Sequence, residues 1–219
     1  MKTNQETEIK LRVTDVPALR RRLKQLNARQ ISPRTHELNS LYDTTKKDLA
    51  RRGQLIRIRV EQAPSRSSKK HQLASAGAKL TYKGPARNKS NKPAADDRAK
   101  KKNRYKVKEE FELEISDAQQ IRRILSALGL RPSFHYEKFR TTYAVKSERN
   151  LKIEFDETPI GIFLELEGSP SAIDRIARLL GYHHSQYITQ SYGALYIAES
   201  RRHGLKPTNM LFSTTKKSR

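Results

Sequence analysis

The chain has 219 residues, no cysteine, and a formal charge of +23 from 46 Lys and Arg set against 23 Asp and Glu. That length is enough to bury one domain's core, and the missing thiols exclude both a disulfide framework and a thiolate metal site, so a bound metal must be held by oxygen or imidazole. No apolar run approaches a bilayer span and the amino terminus lacks an apolar signal region, so a soluble, cytoplasmic protein with no membrane partner is expected.

The location of the charge matters more than its size. From Gln62 to Lys108 there are fifteen Lys or Arg against Asp96 and Asp97 alone, so this stretch holds thirteen of the net 23 charges. Within it, two basic insertions at about 62–77 and 86–104 lack hydrophobic periodicity and read as solvated loops. A basic tail, 201–219, carries one apolar cluster, Met210-Leu211-Phe212, suited to docking on the body. The remainder, 1–200, reads as one domain.

In chain order, Glu6, Glu8 and Lys10 share one face of a first strand whose other face is apolar. A helix follows through Leu19, Leu23 and Leu26, capped by Thr14 or Asp15 with Pro17 in its first turn. Leu55 to Glu61 then aligns Arg57, Arg59 and Glu61 opposite Ile56, Ile58 and Val60, and Ala78 to Pro85 aligns Lys79 with Lys83 before Gly84-Pro85 ends it. Lys108, Glu110, Glu112 and Glu114 form a row opposite Phe111, Leu113 and Ile115. A second helix after Ser116-Asp117 carries Ile121, Ile124, Leu125 and Leu128 and stops at Gly129. Tyr136 to Tyr143 places Lys138 beside Arg140, Leu151 to Asp156 places Lys152, Glu154 and Asp156 together, and Ile162 to Glu167 adds Glu165 and Glu167. A third helix after Ser169-Pro170 presents Ile173, Ile176, Ala177 and Leu180, and a fourth helical segment runs from about Gln186 to Ser200.

One such strand is a sheet with a wet face. A set of them with Arg, Lys, Glu and Asp repeated on the polar side predicts an α+β fold: an eight-stranded antiparallel β-barrel with a charged lumen, covered by about four helices. Burying so many ionised groups is costly unless acids and bases meet counter-ions, which suits an anion bridged to carboxylates by Mg2+ or Mn2+. A metal-bound polyphosphate has that chemistry. The chain has no Gly-rich phosphate loop, so side chains must do the binding.

Glu6-x-Glu8-x-Lys10, Arg57-Ile58-Arg59, Lys79 through Pro85, Glu137-Lys138-Phe139-Arg140, and Phe155-Asp156 leading to Phe163 through Glu167 resemble the CYTH superfamily of triphosphate tunnel metalloenzymes, in order from about Glu6 to Tyr196. The segments Asn39 to Asp43, Lys83-Gly84-Pro85, Glu137 to Tyr143 and Pro159 to Glu167 look most like its class IV adenylate cyclase branch. The resemblance implies metal ligation by Glu6, Glu8, Glu165 and Glu167, and triphosphate binding by Lys10, Arg57, Arg59, Lys79, Lys83, Lys138 and Arg140. It also implies a catalytic group of Glu8, Lys10 and Asp156, the last orienting metal-bound water or a basic neighbour. Glu112, Glu114, Lys152 and Glu154 are expected in the lumen as charge balance. The implied activity is conversion of ATP to cyclic AMP and pyrophosphate, with inorganic tripolyphosphatase or thiamine or nucleoside triphosphatase as alternatives. A homodimer is an open option. The contrasting class is a basic RNA- or polyphosphate-binding module built on Lys100-Lys101-Lys102, which leaves the acids inside the strands unexplained.

Overall fold

The computed structural model describes residues 5–62, 78–86 and 104–213. The two basic insertions, Lys100-Lys101-Lys102 included, lie almost wholly outside the described residues.

The strands β1 (Gln5–Arg12), β2 (Arg29–Asp43), β3 (Leu55–Gln62), β4 (Ala78–Lys83), β5 (Lys106–Ile115), β6 (Arg131–Val145), β7 (Glu148–Thr158) and β8 (Gly161–Glu167) close into a barrel in the order β1-β5-β4-β3-β2-β6-β7-β8, every pair antiparallel. The expected eight-stranded antiparallel barrel is therefore present. Closure pairs every strand with two neighbours and turns one face of each inward. Register does the rest: Lys10 lies across from Glu165, Arg59 from Lys79, Glu37 from Lys138, and Arg140 from Asp156.

Among the described residues five α-helices accompany the strands: α1 (Val16–Gln25), α2 (Asp48–Arg51), α3 (Ala118–Ala127), α4 (Pro170–Leu179) and α5 (Tyr192–Arg202). The one beyond the expected four is α2, a single turn too short for any periodicity. Capping accounts for the longer boundaries. The side chains of Asp15, Asp117, Ser169 and Ser191 accept hydrogen bonds from first-turn amides of α1, α3, α4 and α5, and Pro17 and Pro170 occupy positions where no helical N–H is needed. After α4 the chain turns at Gly181 with φ +79°, where a Cβ would lie 2.4 Å from the Arg22 guanidinium that donates to the Leu180 carbonyl.

The main core lies outside the barrel. Ile9, Leu11, Ile153, Leu164 and Leu166 point outward and pack under α1 and α4, through Leu19, Leu23, Ile173, Ile176, Ala177 and Leu180. The stripe expected on α3 behaves differently: Leu125 is buried, but Ile124 and Leu128 are exposed, as are Phe111 and Leu113 on β5.

The fourth helical segment also departs from expectation. Its helix begins at Tyr192, not near Gln186, because β1 and β5 pair only from Gln5 to Glu8, and the chain around Ile188 fills the remaining seam by exchanging backbone hydrogen bonds with Lys10. A second seam opens where β6 outruns β7, and the tail fills it: Met210 donates to the His135 carbonyl and accepts from the Glu137 amide. Met210 is fully buried and the Phe212 ring lies 5.3 Å from that of Phe139, whereas Leu211 is exposed. The body thus extends past residue 200, and α5 spans one barrel end between these two attachments.

Candidate active site

The barrel encloses a cavity of about 570 Å³ lined by ten Lys or Arg and seven Glu. Three positive charges are in surplus, which suits an anion already partly neutralised by a cation better than a neutral guest.

On the β1–β8 side, Lys10 Nζ lies 2.8 Å from both Glu8 and Glu165, and Lys106 Nζ lies 2.5 Å from Glu8. Burial alone would raise Glu8, but the two ammonium groups outweigh it and hold its carboxyl well below the usual range. Glu165 is lowered against its burial by Lys10, Arg140 and Lys138, and Lys10 is raised against its own by Glu165 and Glu8. Glu6 goes the other way. Burial, reinforced by Glu8, pushes it up to about 8 even though Lys83 lies 2.5 Å away.

On the facing wall, β6, β7 and β2 hold a second network. Asp156, with no solvent exposure, accepts from Lys138 at 2.9 Å, from Arg140 at 2.6 and 2.7 Å, and from the Tyr192 hydroxyl at 2.7 Å. Arg140 also contacts Glu165 at 2.5 Å and pairs with Glu154, yet burial, reinforced by the negative charges of Glu165 and Asp156, still lifts Glu154 to about 7. Between the walls, Arg57 donates to Thr81 at 3.1 Å and lies near Glu110 and Glu112, while Arg59 donates to Asn39 at 3.2 Å. Arg57 Nε and Asn39 Nδ2 are buried with no hydrogen-bond partner among the described residues.

The structure brings Glu6, Glu8, Lys10, Arg57, Arg59, Lys79, Lys83, Lys138, Arg140, Glu165 and Glu167 to the lining of one cavity, with Glu112, Lys152 and Glu154. Asp156 sits behind it. Of the two roles implied for that residue, its partners supply the one of holding basic neighbours. Glu114 is a correction: it is exposed and outside the lining, because β5 leaves the cavity before reaching it. Among the described residues no three carboxylates or imidazoles converge into a ready-made metal cage, since each acid is engaged by a Lys or Arg.

Sequence reasoning missed Glu37, Lys106, Tyr136 and Tyr192. Lys106 and Tyr136 were findable, since each continues the alternate row of Lys108 and Glu110 or of Lys138 and Arg140. Glu37 is 3% exposed and held low, against burial, by Lys138, Arg59 and Arg140. Its strand was hidden, because Pro33 and three register shifts break the alternation of β2.

A family model for the CYTH domain matches residues 4–192. The chain belongs to the CYTH domain family. A Methanocaldococcus jannaschii protein named "putative adenylate cyclase" is 26% identical over 176 residues, 80% of this chain and 83% of that protein. Among solved structures, a "putative adenylate cyclase" of Vibrio parahaemolyticus superposes with a TM-score of 0.64 at 18% identity, covering 89% of this chain and 98% of its own. A Hippeastrum protein described as a "putative adenylyl cyclase" with "a dominant triphosphatase activity" superposes with a TM-score of 0.55 at 19% identity, covering 92% and 97%. Both structural likenesses speak to the CYTH fold. Among the described residues no helix is long and apolar enough to cross a membrane.

Proposed function

We propose that this CYTH domain is a metal-dependent enzyme acting on triphosphates inside its barrel, with ATP cyclisation to cyclic AMP and pyrophosphate as the leading reaction. The observation that carries it is the enclosed lumen, cation-rich yet banded with acids on β1 and β8. A nucleic-acid backbone would be repelled by that acid band, whereas a triphosphate with a bridging cation uses both charges.

The chain's residues divide the work. Arg57, Arg59, Lys79, Lys83, Lys138 and Arg140 converge on the cavity and would grip phosphate oxygens, with Arg57 Nε holding a donor in reserve. Glu6, Glu8, Glu165 and Glu167 offer only oxygen donors, and the Glu6 carboxyl, raised by burial and then by Glu8, is one whose charged form a nearby cation would favour. These residues fit Mg2+ or Mn2+, which would supply Lewis-acid charge stabilisation at the phosphate. Lys10, shared between Glu8 and Glu165, offsets the mutual repulsion of the two carboxylates that would hold the cation. As charge grows on the phosphate oxygens, the cationic wall stabilises it with donors already oriented by Asp156 and Glu37.

The cyclase reading draws on one lip of the cavity. There Leu41, Ala50 and Leu55 interrupt the ionic lining beside Tyr136, giving apolar surface that an organic group on the triphosphate can use and an inorganic chain cannot. The triphosphatase reading keeps the same phosphate grip and is favoured by the activity named for the Hippeastrum structure. Incubation with Mg2+ or Mn2+ and, separately, ATP, thiamine triphosphate and tripolyphosphate distinguishes them by product. Cyclic AMP with pyrophosphate is expected. Orthophosphate without cyclic AMP would transfer the assignment to a triphosphatase, and no product from any substrate would end both readings.

A further inference from the structure

We infer that Tyr192 is a positioning residue for phosphate binding, which through its hydroxyl and its ring keeps three cations from two walls aimed into the cavity. This inference rests on the triphosphate reading above and assigns one residue within that site.

The geometry is specific. Tyr192 is 5% exposed, at the first position of α5, and its hydroxyl donates to Asp156 Oδ2, the same oxygen that accepts from Lys138 and Arg140. A buried carboxylate oxygen has room for few donors. By occupying one of its directions, the hydroxyl satisfies part of the Asp156 charge and leaves Lys138 and Arg140 with N–H groups to spend on a ligand. The ring acts on another pair. Lys10 Nζ lies 5.1 Å and Lys138 Nζ 5.3 Å from its centroid, so one aromatic ring attracts an ammonium from β1 and one from β6. No other described aromatic ring draws two lumen cations in this way.

Its anchorage does not draw on the lumen ion pairs. Phe163 meets the ring edge-on at 5.3 Å, Met210 packs in the same buried cluster, and α5 is held on one side by Ile188 on β1 and beyond its other end by Met210 on β6. The CYTH match ends at Tyr192, so the helix and tail that fix this side chain lie beyond the matched residues. Backbone hydrogen bonds at two seams place the ring, and the ring places the cations.

The test is calorimetric titration of the full chain with inorganic tripolyphosphate, without divalent metal, for wild type, Tyr192→Phe and Tyr192→Leu, alongside melting temperatures. Tyr192→Phe keeps the ring and its packing. It should bind about tenfold more weakly at a temperature where it is fully folded, and, since a hydrogen bond to a buried carboxylate is lost, its melting temperature should fall by a few degrees. Tyr192→Leu should bind more weakly still, since the ring is gone as well. Wild-type affinity in Tyr192→Phe would overturn the inference, as would an equal affinity loss in Leu166→Ala, which lowers stability from the outer face without touching the lumen. A wild-type protein that does not bind tripolyphosphate would instead defeat the triphosphate reading, and this inference with it.

Discussion

The two faces of β1, β7 and β8 are almost equally buried and do opposite things. Outward, Ile9, Leu11, Ile153, Leu164 and Leu166 have no solvent exposure beneath α1 and α4, and their burial drives folding. Inward, Glu8, Lys10, Glu154, Asp156 and Glu165 are all under 9% exposed, yet each carries a desolvation cost that only its neighbours offset. Burial alone therefore says little about which residues stabilise this protein. The outer face holds the barrel shut, and the inner face uses that stability to keep charges out of water, ready for a charged ligand.

Breaking the inner face should cost most. Asp156→Ala leaves Lys138 and Arg140 buried without their shared carboxylate, and a loss of roughly 3–5 kcal/mol is expected in denaturant unfolding. Leu166→Ala on the outer face opens a cavity under α4 and should cost about 2–4 kcal/mol, while metal-free tripolyphosphate affinity stays unchanged in the fraction that folds. A larger effect for Leu166→Ala than for Asp156→Ala would reverse the contrast.

The inner face also titrates. Glu154, raised to about 7 chiefly by burial, favours the folded state while protonated, so its contribution is present below about 4.5 and is lost as pH rises through about 7. Thermal unfolding of the metal-free protein should show stability falling across that window, Glu154 contributing on the order of 3 kcal/mol at most beside a fall of the same sign from Glu6, and Glu154→Gln should remove the Glu154 share. A pH profile unchanged by that substitution would assign the titration elsewhere. Glu8→Gln should lower metal-dependent turnover at least roughly a hundredfold with the fold retained, as circular dichroism would check. The smallest effect belongs to Leu113→Ala, expected within about 0.5 kcal/mol, because that outward side chain is 62% exposed and belongs to no buried cluster among the described residues.

Leu113 also shows how far the amino-acid sequence could be read. Period-two alternation located seven strands and sorted their faces, and cap residues located three helices, because those signals are local; the fourth helix, expected from about Gln186, begins at Tyr192. Whether an apolar face is covered is not local: Leu113 and Leu166 have the same pattern, and only the placement of α4 against α3 separates them. The cavity's basic and acidic rows were legible for the same local reason. Glu37 was not, since bulges scramble its strand, and Tyr192 was not, since a helix residue enters the lumen only because distant seams in the sheet fix where α5 lies.

The most direct test of the central claim is a crystal structure of the protein grown with Mn2+ and tripolyphosphate. The account predicts a manganese peak beside Glu8 and Glu165 within the barrel, with phosphate oxygens against Arg57, Lys138 and Arg140. Tripolyphosphate bound only to the outer basic surface, with the lumen ion pairs undisturbed, would contradict it.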